Sequence, residues 1–480
     1  MPQDLDLALT QPIADKTKAR LARLESEISQ LQTQLKELEA EHAILPKDQS
    51  QNTAVLSPFS RLPVELLAEV FFWTLPPMSG APLDINKSPW LLTHVCSQWR
   101  AVAVSKSSLW SPLSIDFSLK PNYSLAMVKT QIERARTLKV RFYGARYRAL
   151  RPQVDILELL LQHSSIWEEI RIQLTRDLVP YVEAFADPLP VLRRAWVQWN
   201  GADSQRYIES IDCFKSAVSL TDIGACSQYQ FIPILLPMHR QLTRYDFDAP
   251  WNTHCELLKS LPCLHEVRIT CAFGVSEEEL VAPINLPLLK RLYVSHAEIL
   301  EDLKAPSLTE LAVCGGPSDY WEDFLLQSSC SLRRLCIEGM PDTYDTVKIL
   351  EQFSSITELA VKINGEADVE QELLADFLAH FTVSNAIPIL PHMTELGFGY
   401  CNGSDVYYPE YLDMLASRWN AGDCALKAAE LMISEPHLDP DPISLARLDM
   451  LRQDGLNISL LSGEAAETRM NRWSHIASWD

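Results

Sequence analysis

The sequence predicts a mixed fold in three parts: an N-terminal coiled-coil helix, a small all-α domain, and an α/β repeat domain with a parallel sheet. Three observations predict it. Apolar residues keep a heptad spacing within 14–45, two apolar helical segments lie within 58–112, and one short motif returns ten times within 130–450. At 480 residues the chain is also longer than one hydrophobic core usually fills.

The first segment has the spacing of a coiled coil. Its apolar residues alternate in steps of three and four, and neither Gly nor Pro occurs between Ala14 and Leu45. This narrow seam predicts a helix that pairs with another helix. A single amphipathic helix lying on its own domain is the alternative. Pro46 ends the segment, and the polar residues 46–57 are predicted to be a linker. The seam consists of Leu21, Leu24, Ile28, Leu31, Leu35 and Leu38.

The second segment carries more apolar surface than a short helix can hold alone in water. Residues 62–77, LPVELLAEVFFWTLPP, begin with Leu-Pro and end with two prolines. A helix of this length is marginal in isolation, so either the rest of the chain or another protein must cover it. A proline-containing loop, 76–89, leads to 90–110, where apolar residues return at helical spacing.

A short motif recurs along most of the remaining chain. It has the form apolar, two variable residues, apolar, one variable residue, apolar, and its copies begin 19 to 28 residues apart with one step of 37. A step of about 25 is the period of leucine-rich repeats. The clear copies are LKRLYV at 289, LTELAV at 308, LRRLCI at 332, ITELAV at 356 and MTELGF at 393, and the weaker copies are WEEIRI at 167, LRRAWV at 192, LTDIGA at 220, LTRYDF at 242 and LHEVRI at 264.

Each copy predicts a strand with one buried face, because apolar residues alternate over its last positions. Helix-capable stretches such as DTVKILEQF at 345 lie between copies. Strand and helix units stacked side by side form a parallel sheet with helices on one face. We therefore expect a leucine-rich-repeat-like solenoid over 130–450, followed by a C-terminal tail or cap at 451–480.

The composition predicts a folded intracellular protein. The 42 basic and 63 acidic residues give a net charge of −21, which repels phosphate backbones and argues against nucleic-acid partners. The sequence contains no long uncharged apolar run, so neither a membrane span nor a signal peptide is predicted. The 11 cysteines contain no CxxC pair, so we expect reduced, mostly buried thiols and no metal site.

Residues 60–112 resemble the F-box, in the F-box-like form common in mushroom-forming fungi. The shared pattern is Leu-Pro-x-Glu-Leu-Leu, an aliphatic and aromatic pair, Val-Cys-x-x-Trp-Arg, and a final Leu-Trp, although the loop at 74–90 is longer than in the common F-box. The residues that carry the resemblance are Leu62, Pro63, Glu65, Leu66, Leu67, Val70, Phe71, Val95, Cys96, Trp99, Arg100, Leu109 and Trp110.

The resemblance implies a receptor subunit of a ubiquitin ligase. In that family the F-box docks a Skp-type adaptor, which connects it to a cullin, and the rest of the chain selects the protein substrate. A cytoplasmic or nuclear location follows. An F-box scaffold without a ligase, and a repeat-domain interaction protein whose F-box is vestigial, remain alternatives. The adaptor-binding residues implied are Leu62, Pro63, Glu65, Leu66, Leu67, Val70 and Phe71.

The sequence offers no convincing catalytic or cofactor-binding motif, so we expect a non-catalytic protein without cofactors. It has no P-loop, GxGxxG or HExxH. The nearest to a reactive-cysteine site are GYCNGSD at 399 and the adjacent His254 and Cys255, but neighbours in sequence rarely face each other.

Substrate recognition is predicted on the exposed face of the repeat sheet. Side chains alternate along a strand, so the residue between two inward apolar residues points outward. Large aromatic and arginine side chains often anchor interfaces, and loops or the C-terminal tail are the alternative. The outward row is Arg268, Tyr293, Ala312, Cys336, Ala360 and Gly397, flanked by Glu266, Arg291, Glu310, Arg334, Glu358 and Glu395. The predicted substrate-binding residues are Trp196, Arg268, Arg291, Tyr293 and Arg334.

Overall fold

We describe the fold from a computed structural model of the chain. The architecture is mixed α/β, with a large parallel sheet and an N-terminal helix. The predicted linker at 46–57 lies outside the described residues. The structure describes residues 16, 18–40, 62–76, 83–120, 122–205, 208–227, 229–236, 241–272, 282–314, 316–339, 343–363, 367–383, 388–401, 408–434 and 440–474.

The helices form in three places: ahead of the sheet, between its strands, and after its last strand. Helix α1, at 18–40, confirms the predicted N-terminal helix, and its seam residues are 52 to 64% exposed, so this seam does not pack on the described remainder of the chain. The others are α2 Val64–Trp73, α3 Leu92–Val95, α4 Ser97–Ser105, α5 Leu125–Arg134, α6 Leu150–Leu161, α7 Val179–Glu183, α8 Trp251–Ser260, α9 Asp319–Ser328, α10 Thr343–Gln352, α11 Ala367–Phe381, α12 Tyr408–Asn420, α13 Pro442–Gln453 and α14 Glu464–Trp473.

The predicted large parallel sheet is confirmed. Fourteen of the described strands pair in chain order into one sheet that is not closed on itself, and β8 and β10 form a separate pair. The strands are β1 Pro112–Asp116, β2 Leu138–Tyr143, β3 Trp167–Leu174, β4 Arg194–Trp199, β5 Asp222–Cys226, β6 Arg244–Asp248, β7 Glu266–Thr270, β8 Ile284–Asn285, β9 Arg291–Val294, β10 Leu303–Lys304, β11 Glu310–Cys314, β12 Arg334–Glu338, β13 Glu358–Ile363, β14 Glu395–Tyr400, β15 Ala428–Ile433 and β16 Asn457–Ser462.

All ten motif copies form strands of this sheet. Nine begin at the third residue of their copy, and β3 begins at the first, Trp167. The sheet nevertheless extends beyond 130–450 in both directions. Strand β1 begins at Pro112 and pairs with β2, and β16 lies within the predicted tail and pairs with β15. Within the predicted tail or cap at 451–480, residues 451–453 therefore belong to α13 and 457–462 form the last strand of the sheet.

Two faces of the sheet differ in what covers them. On the back face, alternate strand residues such as Leu292, Leu311 and Leu335 form the main core with apolar side chains of α5 to α13. The front face is the opposite side. It carries Arg141, Trp196, Arg268 and Tyr293 at equivalent register positions of β2, β4, β7 and β9. Side chains alternate between these faces because the strand repeat is two residues.

A small helical unit packs beside the first strand. Its own apolar cluster joins α2, α3, α4 and the turn at Ser107–Trp110. The indole of Trp110 donates a 2.8 Å hydrogen bond to the carbonyl of Ala103, and the guanidinium of Arg134 from α5 lies 4.4 Å from the centre of the Trp110 ring. The unit thus has a core of its own and contacts the first helix of the sheet domain.

Candidate functional site

Helix α2 presents an apolar stripe that the described residues leave about half exposed or more exposed than that. Leu66, Val70 and Trp73 are 55, 42 and 78% exposed. Their spacing of four and three residues places them on one side of the helix. A contiguous exposed apolar patch of this kind marks an interaction site more often than isolated exposed side chains do.

The opposite side of α2 corrects two of the predicted adaptor-binding residues. Leu67 and Phe71 are fully buried, and the ring of Phe71 lies 4.8 Å from that of Trp99. They belong to the internal core because the helical period turns them away from Leu66 and Val70. Of the remaining predicted residues, Leu62 is half-buried and Pro63 and Glu65 are exposed.

Sequence reasoning omitted Trp73 from the candidate interface, although it is the most exposed of the stripe residues. Its position seven residues after Leu66 is the signal that could have found it, because two helical turns return a side chain to the same side. Its indole donates a 3.1 Å hydrogen bond to Glu69 Oε1 one turn earlier.

A charge ladder crosses the front face. We use this name for ten residues, one within the first three residues of each of ten neighbouring strands, whose charges alternate without interruption. Adjacent members form nine ion pairs of 2.7 to 4.0 Å. The members in strand order are Lys139, Glu169, Arg194, Asp222, Arg244, Glu266, Arg291, Glu310, Arg334 and Glu358.

The ladder gives Arg291 and Arg334 a structural role that the sequence prediction did not include. Arg291 lies between Glu266 and Glu310, and Arg334 contacts Glu310 and Glu358. Reversing these two charges would place like charges on strands about 4.8 Å apart. Loss of partner binding in such a variant would therefore not identify a binding site.

The centre of the ladder is its most buried part. The side chains of Arg244 and Asp222 are only 9 and 11% exposed. Burial raises the pKa of Asp222 to about 6, against the opposing charges of Arg244 and Arg194. Asp222 therefore depends on these two arginines to remain ionised in the folded protein.

Trp196 and Arg268, two of the predicted substrate-binding residues, are partly buried by neighbouring side chains. Trp196 is half-buried, lies against Gly224 of the next strand, and donates from Nε1 to Gln198 Oε1 at 3.2 Å. Arg268 pairs with Asp246 at 3.3 Å, and its guanidinium lies 4.4 Å from the centre of the Tyr293 ring. These residues share the front face.

The prediction that Tyr293 is accessible is wrong. Its side chain is 5% exposed. The guanidinium of Arg268 lies over its ring, and its hydroxyl donates a 3.4 Å hydrogen bond to Glu338. Tyr293 also belongs to a second apolar cluster on the front face, which includes residues of helix α14. The sequence analysis predicted an open face from strand alternation alone and described 451–480 as a tail or cap without assigning it a position on the sheet. The cluster consists of Tyr293, Ala312, Cys336, Ala360, Met432, Ala466, Met470 and Trp473.

His254 and Cys255 form no activated nucleophile in the structure. Burial lowers the pKa of His254 to about 4 and raises that of Cys255 to about 11, so both are uncharged near neutral pH. His254 Nδ1 instead lies 2.5 Å from the hydroxyl of Tyr245. Within the described residues, no three His, Cys, Asp or Glu side chains are grouped as metal ligands. The 11 cysteines are all free thiols, of which four are buried.

No protein-family model matches the chain, and no curated protein matches it. In the part of the chain that the structure describes, no helix is long and apolar enough to cross a membrane.

Proposed function

We propose that this protein is an F-box-type substrate receptor of a ubiquitin ligase. The observation that carries the proposal is the exposed stripe of Leu66, Val70 and Trp73 on a helical unit with its own core. In this proposal a Skp-type adaptor covers the stripe and its neighbours Leu62, Pro63 and Glu65, and a cullin is reached through the adaptor. The protein acts in the cytoplasm or nucleus as a binding subunit, without chemistry of its own.

The sheet domain is proposed to be a leucine-rich-repeat-like solenoid that binds the substrate. Parallel strands in chain order, one per motif copy, with helices packed on one face, support this assignment. The front face offers Trp196 and Arg268 as half-buried anchors of the types that often dominate interfaces. A repeat domain of this kind presents one long surface and so suits an extended protein partner.

Affinity purification of the full chain from cells tests the ligase assignment. A receptor is expected to recover both a Skp-type adaptor and a cullin. Recovery of the adaptor without cullin would instead indicate a scaffold outside a ligase, and recovery of neither would show that the helical unit does not dock an adaptor.

We also propose that helix α1 pairs with a second copy of itself, most simply as a parallel dimer. Lysines at Ile28 and Leu35 would place like charges in the seam, so the double variant Ile28→Lys and Leu35→Lys is expected to be monomeric. The mass measured by light scattering should then fall from a multiple of 54.3 kDa to 54.3 kDa. The matched control is Ser26→Lys with Thr33→Lys, which adds the same charge on the opposite side of the helix and should leave the mass unchanged. An unchanged mass in the seam variant would contradict self-association through α1.

A further inference from the structure

Helix α14 lies on the opposite side of the sheet from the helices between the strands. After β16 the chain turns at Gly463, whose φ of +61° favours glycine, and continues onto the front face. No described residue after Ile458 belongs to the buried main core on the back face. The main core is therefore complete without α14.

The surface beneath α14 is shaped to receive large side chains. Gly397 and Gly399 lie within β14. Glycine is unfavourable in a strand unless another group must approach closely. A Cβ atom at Gly397 would lie 2.5 Å from Cζ2 of Trp473, and one at Gly399 would overlap Met470. Ala360, Cys336 and Ala312 continue the same row of small residues on the next strands. We call Gly397, Gly399 and this row the small-residue floor.

Charge complementarity accompanies this shape. Glu358, at the end of the charge ladder, is in register with Glu395, so two acids adjoin there. Burial raises the pKa of Glu358, and the nearby Glu395 and Glu310 raise it further. Arg469 of α14 enters at this point and pairs with Glu430, with its Nε 3.0 Å and its Nη2 2.5 Å from Oε1. The helix thus brings a cation to the acidic residues at the end of the charge ladder.

The end of α14 makes one more polar contact. The hydroxyl of Ser474 donates to Glu338, a buried carboxylate that also lies 3.4 Å from the ammonium of Lys362. The outward side of the helix is polar, with Glu464, Glu467 and Arg472 exposed. Its contacts therefore resemble those of an amphipathic helix seated in a binding groove.

We infer that the small-residue floor is a binding site for an amphipathic helix, which α14 occupies within the same chain until a partner protein displaces it. The partner segment must present a Trp and a Met toward the floor and an Arg four residues before the Trp, as Trp473, Met470 and Arg469 do. The inference rests on the proposed function only in placing the partner on the front face. It requires no adaptor and no ligase.

Hydrogen exchange of the unmodified full chain tests whether α14 leaves the floor separately. If α14 is displaceable, its amides should exchange at least about 100-fold faster than those of β14, because a local opening costs less than global unfolding. Equal protection of α14 and β14 would show that the helix is an integral part of the fold and would overturn the inference. This measurement does not depend on any variant folding.

A peptide added in trans tests recognition directly. The variant Trp473→Ala with Arg469→Ala, in the full chain, should bind a fluorescent peptide of residues 463–474. The unmodified protein should not, because its tethered helix competes at an effective concentration of about 1 mM. A peptide carrying the same two alanines should bind at least about 100-fold more weakly, since a buried Trp dominates such contacts.

The matched control is Glu467→Ala with Arg472→Ala, which changes the outward side and should leave the floor closed to the peptide. If the first variant retains its circular dichroism spectrum and still fails to bind the peptide, the floor is not a helix-binding site. These outcomes are independent of adaptor capture, so a failure of the ligase proposal would leave them unchanged.

Discussion

Replacing Leu66 and Pro63 by alanine is expected to weaken capture of a Skp-type adaptor by at least about 100-fold without unfolding the protein. Burying one Leu side chain contributes about 1.5 to 3 kcal/mol, and each 1.4 kcal/mol is about tenfold in affinity. Leu66 is 55% exposed and Pro63 is exposed, so the folded chain loses little when they are shortened. A pull-down of purified adaptor, with circular dichroism of each variant, measures both effects.

The matched control lies one position further along α2. Leu67 is fully buried, so Leu67→Ala should destabilise the helical unit by about 2 to 5 kcal/mol. The contrast between adjacent leucines separates an interface from a core. Unfolding of the Leu66 and Pro63 variant would assign both side chains to the core, and adaptor capture at full strength would remove the stripe from the proposed interface.

The second large effect is expected from Arg244→Leu, at the buried centre of the charge ladder. This change leaves Asp222 and Glu266 without the arginine between them. Breaking a buried ion pair by removing one partner typically costs about 3 to 5 kcal/mol. Urea denaturation at about pH 8 should show a loss of this size.

The loss should be smaller at acidic pH. The folded pKa of Asp222 is about 6, against about 3.9 in an unfolded chain. The folded state therefore binds the proton more tightly, and the stability from this group is complete below about pH 4 and is lost as pH rises through about 6. The charge of Arg244 lowers the pKa of Asp222, so removing Arg244 raises that pKa further. The pH range in which protonated Asp222 contributes stability then extends to higher pH. The variant should accordingly recover part of its stability at about pH 5.

The control for this prediction is Arg151→Leu, which removes an exposed pair with Asp155 on α6. Such surface pairs within a helix contribute about 0.3 to 0.5 kcal/mol. If Arg244→Leu lowers the free energy of unfolding at about pH 8 by no more than Arg151→Leu does, the ladder does not stabilise the sheet.

The sequence predicted the sheet well because the apolar positions of the motif are the residues that are buried on the back face. Leu289, Leu292 and Val294, for example, are the apolar positions of one copy, and all three are buried in the main core. Strand β15 was missed because Ala429 replaces the usual larger residue between Leu426 and Leu431. Strand β16 was missed because Leu456 precedes Ile458 by two residues where the motif has three.

The binding surfaces were harder to predict, because they depend on which distant segments of the chain pack on the front face. Alternation placed Tyr293 on the front face correctly, but no local pattern indicated that Trp473, 180 residues later, would return to cover that face. The charge ladder did leave a signal. The third residue of successive copies alternates between acid and base from Glu169 to Glu358, and a comparison across copies would have found it.

The unbroken alternation of the ladder also constrains how such a chain can change in length. Deleting the single unit that contains Glu266 would bring Arg244 beside Arg291, and duplicating it alone would set two acids side by side. Removing or adding two adjacent units preserves the order of charges. A change in the number of units that keeps every ion pair of the ladder should therefore add or remove two adjacent units.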